Sequence, residues 1–251
     1  MLKFARLLLV TMALQGVAAS ADDTVRLMAN TSPPYSDKTL PEQGLALEIV
    51  RHVFANTSYQ PDITIDNWSR AVEGASLGVY DGLAAAWYSK GRDKDLLFSE
   101  PYLSSKLIIL KLRSNPGKYT SLKDLAGGRL GVRADYAYGV DFASVPELTL
   151  VEENHLIQNL LRLLNGSVDF VIGDRRTIVM QLNEYLRDRM TQFAVLDIPL
   201  PEVRRHVAIS RERADHEKVV ADFNRSLAES RKNGSLQAII DEWDGRLGSL
   251  N

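Results

Sequence analysis

The sequence predicts an α/β protein built on largely parallel sheets. Strand-like and helix-like segments alternate along most of the chain, the pattern that lays helices against parallel strands. About 230 residues remain after an N-terminal leader, enough for one large domain or two smaller lobes. A break at Asn115-Pro116-Gly117 is followed by a fresh run of alternating segments.

Thr24 to Ala29 reads as the first strand, and Leu45 to Phe54 as an amphipathic helix with apolar residues at helical spacing. Pro61 to Ile65 is a second strand. Ser69 to Leu77 is a helix closed by Gly78, and Leu83 to Tyr88 is a buried apolar strand. Ser105 to Leu112 is long, apolar and extended. Beyond the break, Leu130 to Arg133 reads as a strand, His155 to Leu164 as a helix and Val168 to Ile172 as a buried strand. Asp174 starts a helix that runs through Leu186. Phe193 to Ile198 and Arg205 to Ser210 are further strands. Two helices close the chain, His216 to Lys232 and Ser235 to Leu247, separated by Asn233-Gly234.

Residues 1–21 read as a cleavable signal peptide. Lys3 and Arg6 form the charged start, Leu7 to Leu14 the short apolar stretch, and Ala19-Ser20-Ala21 the small-residue cleavage site. That apolar stretch is shorter than the roughly 20 residues a membrane span needs. No cysteine follows the cleavage site, so a soluble exported product without a lipid anchor is expected. Loss of Lys3 and Arg6 takes the net charge from −2 to −4, an acidity that argues against nucleic acid as a partner. The chain has no cysteine, which excludes disulfides and thiolate metal sites. Its four histidines are scattered, and no metal or other cofactor is expected.

One segment carries more chemistry than the rest. The strand Leu83 to Tyr88 runs into Ser89 and Arg92, and Phe98-Ser99-Glu100-Pro101-Tyr102 follows. An arginine just past the end of a buried strand is well placed to clamp a carboxylate, because its planar fork offers two parallel N–H donors. The same arginine lies in a charged loop, where a solvated side chain is the plainer reading. Asp174 is a good helix N-cap whatever else it does. Gly74-Ala75-Ser76-Leu77-Gly78 fits a nucleophile-elbow spacing, but that motif needs a strand before the serine and a helix after it, the reverse of the order here. Asp93, Asp95 and Glu100 form a cluster best read as a solvated turn.

The segment from Asp81 to Tyr102 resembles the solute-binding proteins of polar amino acid ABC importers. In that family an acid, a hydroxyl residue and an arginine precede F-S-x-P-Y at this spacing. Four further matches follow in family order. They are Gly44 to Val50, Asn67-Trp68-Ser69-Arg70-Ala71, Leu122 to Val132, and Gly166 to Asp174. The resemblance implies a two-lobed type II periplasmic binding fold, with residues 22–108 and 204–251 in one lobe and 109–203 in the other. Two crossovers, near Leu107 to Lys111 and Pro199 to His206, would form the hinge. It also implies that Arg92 holds a ligand carboxylate, Asp174 accepts the ligand ammonium, and Trp68 packs on the ligand. Tyr35 would line the cleft mouth, with Ser89, Trp87, Tyr136, Tyr138 and Arg70 as further ligand-binding candidates.

Several positions depart from the family pattern. Ser32 stands where a stacking aromatic is common, and Trp87 where a small hydroxyl residue is common. Asp135-Tyr136-Ala137-Tyr138-Gly139 replaces a G-T-[TS] loop, narrowing the pocket and adding an acid. These departures put plain α-amino acid specificity in question.

The function implied is capture of a small amino acid-like or carboxylate solute in the interlobe cleft. A monomer would close on its hinge and deliver the solute to an ABC permease without catalysis. A zwitterion leaving water needs both charges paired, or desolvation costs several kcal/mol per ion. Charges on two lobes make the ligand the bridge that holds the cleft shut. Two alternatives share the fold. One is a stand-alone ligand-sensing module. The other is a cyclohexadienyl dehydratase-like enzyme, with Asp135 or Asp174 as the acid.

Overall fold

A computed structural model describes residues 24–134 and 136–248. The signal-peptide residues and Asp135 lie outside this range. The first unit runs β1 (Thr24–Asn30), α1 (Leu45–Phe54), β2 (Gln60–Asp66), α2 (Trp68–Ser76), β3 (Gly82–Trp87), β4 (Leu96–Phe98) and β5 (Leu103–Leu112). The second holds β6 (Arg129–Arg133), β7 (Thr149–Glu153), α3 (Leu156–Leu164), β8 (Phe170–Asp174), α4 (Arg175–Tyr185) and β9 (Phe193–Val195). The chain then returns through β10 (Glu202–Ser210) to α5 (His216–Lys232) and α6 (Ser235–Leu247).

The strands form two linked sheets. In the first, β2, β1 and β3 are parallel, and β10 runs antiparallel against β3 and β4. In the second, β7, β6 and β8 are parallel, and β5 runs antiparallel against β8 and β9. The long strand β5 serves both. Its residues Leu103 to Lys106 pair with Arg205 to Glu202 of β10, while Leu107 to Leu110 pair with Asp174 to Val171 of β8. Each sheet is thus a parallel trio completed by an antiparallel crossover strand, with helices on its faces.

Local chemistry explains the elements that carry the cleft. Helix α1 buries seven of its ten residues, Leu45, Ala46, Leu47, Ile49, Val50, Val53 and Phe54, against the first sheet and α5. Each fully buried Leu, Ile, Val or Phe contributes about 1.5–3 kcal/mol. The helix start also fixes the loop after β1. The Leu45 and Ala46 amides donate to the Pro34 and Tyr35 carbonyls at 2.9 and 3.0 Å. Gly44 makes this approach possible, since a Cβ there would lie 2.6 Å from the Tyr35 carbonyl carbon, at φ +109°. Helix α2 opens on Asn67, whose side chain accepts from the Arg70 amide at 3.3 Å. Helix α4 opens on Asp174 in the same way, with Oδ1 accepting from the Thr177 amide at 3.1 Å.

Most predicted elements lie within two residues of their expected bounds, and both C-terminal helices coincide with theirs. Three differences have physical causes. The strand expected at Val168 to Ile172 is shifted to Phe170–Asp174, because the Asp169 amide bonds to the Arg129 carbonyl before β8 pairing begins. The strand expected to reach Ile198 ends at Val195. Past it, Pro199 and Pro201 have no N–H to donate to a ladder. Strands β4 and β7 were not anticipated. The first is three residues long, and the second is a mostly exposed edge strand without an apolar alternation.

Candidate functional site

The cleft lies where the loops after β1, β3, β6 and β8 meet β10. From the first sheet come Asn30, Ser32 and Tyr35 after β1, Trp68 at the start of α2, and Trp87 and Arg92 at and beyond the end of β3. From the second come Tyr136 and Ala137 after β6. Arg205 enters from β10. An adjoining space shares Ser32, Trp87, Tyr136 and Arg205 and adds Tyr138, Asp174 and Thr177. The first space has a free volume of only about 20 Å³, room for roughly one or two waters.

The chain itself ties the two sides together. The Tyr35 hydroxyl donates to Asp174 Oδ1 at 2.6 Å, from the first side to the second. Burial and the neighbouring Asp174 charge push the Tyr35 phenol well above the ordinary tyrosine range, so it stays a donor. The Tyr136 hydroxyl is a second tie. It accepts from Asn30 Nδ2 at 3.2 Å and from Arg133 Nη1 at 2.6 Å, and it donates to Ser32 Oγ at 3.2 Å. The Arg133 guanidinium also stacks 4.3 Å from the Tyr136 ring centroid. Trp87 meets the rings of Tyr136 and Tyr138 edge-on at 4.9 and 5.9 Å.

The predicted residues fall into three groups. Arg92, Trp68, Tyr35, Trp87 and Tyr136 line one cavity, with the Arg92 guanidinium 5.2 Å above the Trp68 ring. Asp174 and Tyr138 line the adjoining space. Asp174 is buried, caps α4 and accepts from Tyr35, all through Oδ1; Oδ2 has no hydrogen-bond partner among the described residues. The Tyr138 hydroxyl accepts from the Arg133 amide at 2.9 Å, so it also braces the loop. Ser89 and Arg70 stand apart from both spaces. The Ser89 carbonyl accepts from the Arg92 amide and shapes the turn. Arg70 is an exposed side chain paired with Asp66 at 3.1 Å, since a residue at the third position of α2 faces back over the helix start.

Sequence reasoning missed Arg205 and the Arg133 brace. Arg205 was legible in the period of β10. Val203, Arg205, Val207 and Ile209 share one face of that strand, and all four are buried. A charge on the apolar side of a strand marks a place where the fold holds it for a reason.

Two α/β lobes strung on crossover strands, with a narrow charged cleft between them, define a two-lobed solute receptor of the type II periplasmic-binding kind. Residues 25–246 match the bacterial extracellular solute-binding proteins, family 3, and the chain belongs to that family. A probable amino-acid ABC transporter-binding protein of Haemophilus influenzae is 23% identical over 246 residues, covering 91% of this chain and 88% of that protein. The ABC transporter arginine-binding protein 1 of Escherichia coli (strain K12) is 24% identical over 157 residues. That match covers 61% of this chain and 60% of the E. coli protein, less than two thirds of its length. Among solved structures, an ancestral arginine-binding protein bound to arginine has a TM-score of 0.74 at 18% identity, over 88% of this chain and 98% of that one. A likeness at that identity speaks for the fold.

Proposed function

We propose that this family member captures an amino acid or closely related carboxylate in the interlobe cleft and presents it, as a periplasmic monomer, to an ABC membrane permease. It does so without catalysing a reaction. Residues 1–21 direct export and are removed. Residues 22–108 and 204–251 move as one lobe and 109–203 as the other. Arg92 clamps the ligand carboxylate, Trp68 packs over its stem, and Asp174 accepts its ammonium. The names of the H. influenzae and E. coli relatives support amino acids as the solute class.

The observation that carries the reading is Asp174. Its Oδ1 is used by the chain, and its buried Oδ2, beside the cleft, has no hydrogen-bond partner among the described residues. An orphaned buried acceptor is costly unless something completes it, and an ammonium does so with charge-assisted bonds.

The test is a thermal-shift screen of the mature protein, refolded after ligand stripping, against amino acids and small carboxylates. A ligand at about 100 times its Kd adds about 2.7 kcal/mol of stability. Wild-type protein should shift with α-amino acids. Arg92→Ala should lose that shift while keeping its fold. Asp174→Asn keeps a good cap and should weaken amine-bearing ligands more than simple carboxylates. Silence across the panel would sink the amino acid reading, and an unchanged Arg92→Ala affinity would sink the clamp.

A further inference from the structure

The least explained group in the cleft is Arg205. It is only 4% exposed, its Nε has no hydrogen-bond partner, and no carboxylate among the described residues stands within ion-pair distance of it. What holds it is the face of Tyr35, 3.4 Å from guanidinium to ring centroid, with Trp87 5.4 Å away on another side. A cation–π contact offsets only part of the cost of taking a guanidinium out of water. Trp87 is 6% exposed, and its Nε1–H also has no acceptor. Both residues line both parts of the cleft. Two buried donors, one fully charged, therefore border the cleft with no hydrogen-bond partner among the described residues. Asp174 Oδ2, the one orphaned buried carboxylate oxygen among the described residues, belongs to a residue lining the same inner space.

We infer that Arg205 and the Trp87 indole N–H form a second anion receiver, and that the ligand is an acidic amino acid. This rests on the amino acid reading above, in which Arg92 and Asp174 take the α-carboxylate and the ammonium. The receiver then takes a side-chain carboxylate, so that Arg92, Arg205 and Asp174 complement the two carboxylates and one ammonium of the ligand. Arg133 adds a further positive charge, held by Tyr136, Ser32 and the Asn154 carbonyl. A basic side chain such as that of arginine would meet this charge with its own, and among the described residues only Asp174 offers it an unpartnered buried carboxylate oxygen.

The experiment is titration calorimetry of the mature full chain with L-glutamate, L-aspartate, L-glutamine and L-arginine. L-Glutamate or L-aspartate should bind tightest, at least about tenfold more tightly than L-glutamine, as expected for a hydrogen bond to a charged rather than a neutral group. Arg205→Met should cost the acidic ligands about 30-fold or more and L-glutamine far less, since one partner of a buried charge pair is lost. Trp87→Phe keeps the ring stack, removes only the N–H, and should cost the acidic ligands about tenfold. If Arg205→Met does not fold, Trp87→Phe decides, and an unchanged L-glutamate affinity in it overturns the receiver. Tightest binding of L-arginine or L-glutamine overturns the acidic assignment and leaves the amino acid reading standing. No binding of any of the four to wild-type protein overturns this inference; if the wider panel is silent too, it overturns the amino acid reading as well.

Discussion

The Tyr35 hydroxyl allows a stringent test of how the cleft is held. Tyr35→Phe removes one oxygen and keeps the ring that Arg205 stacks on. The lost bond is the 2.6 Å donation to Asp174 Oδ1. A second hydrogen bond to that hydroxyl, from Ser105 Oγ at 3.4 Å, is long and adds little. Asp174 Oδ1 retains the Thr177 amide, so the acid remains partly satisfied. A buried hydrogen bond to a carboxylate contributes about 1.5–3 kcal/mol, and about 2 kcal/mol is the expected loss here. For a protein of this size that is a fall in Tm of about 4–8 °C. Urea unfolding of wild type, Tyr35→Phe, Asp174→Asn and the double variant isolates the pair. The cycle should show a coupling of about 1–2 kcal/mol, within the range for directly bonded side chains. Additivity within about 0.5 kcal/mol would refute the claim that this bond ties the two sides.

Two other perturbations probe the same framework. Gly44→Ala places a Cβ 2.6 Å from backbone atoms of Tyr35 at φ +109° and ψ 159°, a region that side chains rarely adopt. It should cost about 3 kcal/mol by urea unfolding, and a midpoint near wild type would contradict the close approach. His206 is buried beside the Ser99 carbonyl, and burial pushes its pKa below the ordinary histidine value. The folded state therefore binds this proton less readily than the unfolded chain, so stability falls as pH drops below about 6.5. His206→Gln should flatten the stability profile between about pH 6.5 and 5. An unaltered slope would assign that acid sensitivity to other groups.

Much of the fold was readable because it follows from local periodicity. The apolar face of Leu45 to Phe54 and the Asn233-Gly234 break fix α1, α5 and α6 without tertiary information. Strand β7 was not readable, because its edge position leaves little apolar alternation to detect. Arg92, Trp68 and Asp174 could be named because motif order pointed to them. Ser89 and Arg70 share those motifs, yet the direction in which a side chain leaves a turn or a helix start depends on backbone geometry that spacing does not encode. Arg205 went unread for a different reason. The period of β10 marks it as a buried charge, but what it fails to touch depends on tertiary placement that a linear sequence does not record.

The ribbon formed by Leu103 to Lys106 and Glu202 to Arg205 has a mechanical consequence. A connection of two hydrogen-bonded antiparallel strands behaves as a torsion spring rather than a loose tether. In the hinge closure proposed above, opening would be absorbed as twist distributed along a few rungs, with the rungs intact, which confines it to a narrow path. Arg205 sits on the final rung, paired on one side with Leu103 and on the other with Trp87. A force applied to its guanidinium is applied to the spring itself, and whatever binds there pulls directly on the angle between the lobes.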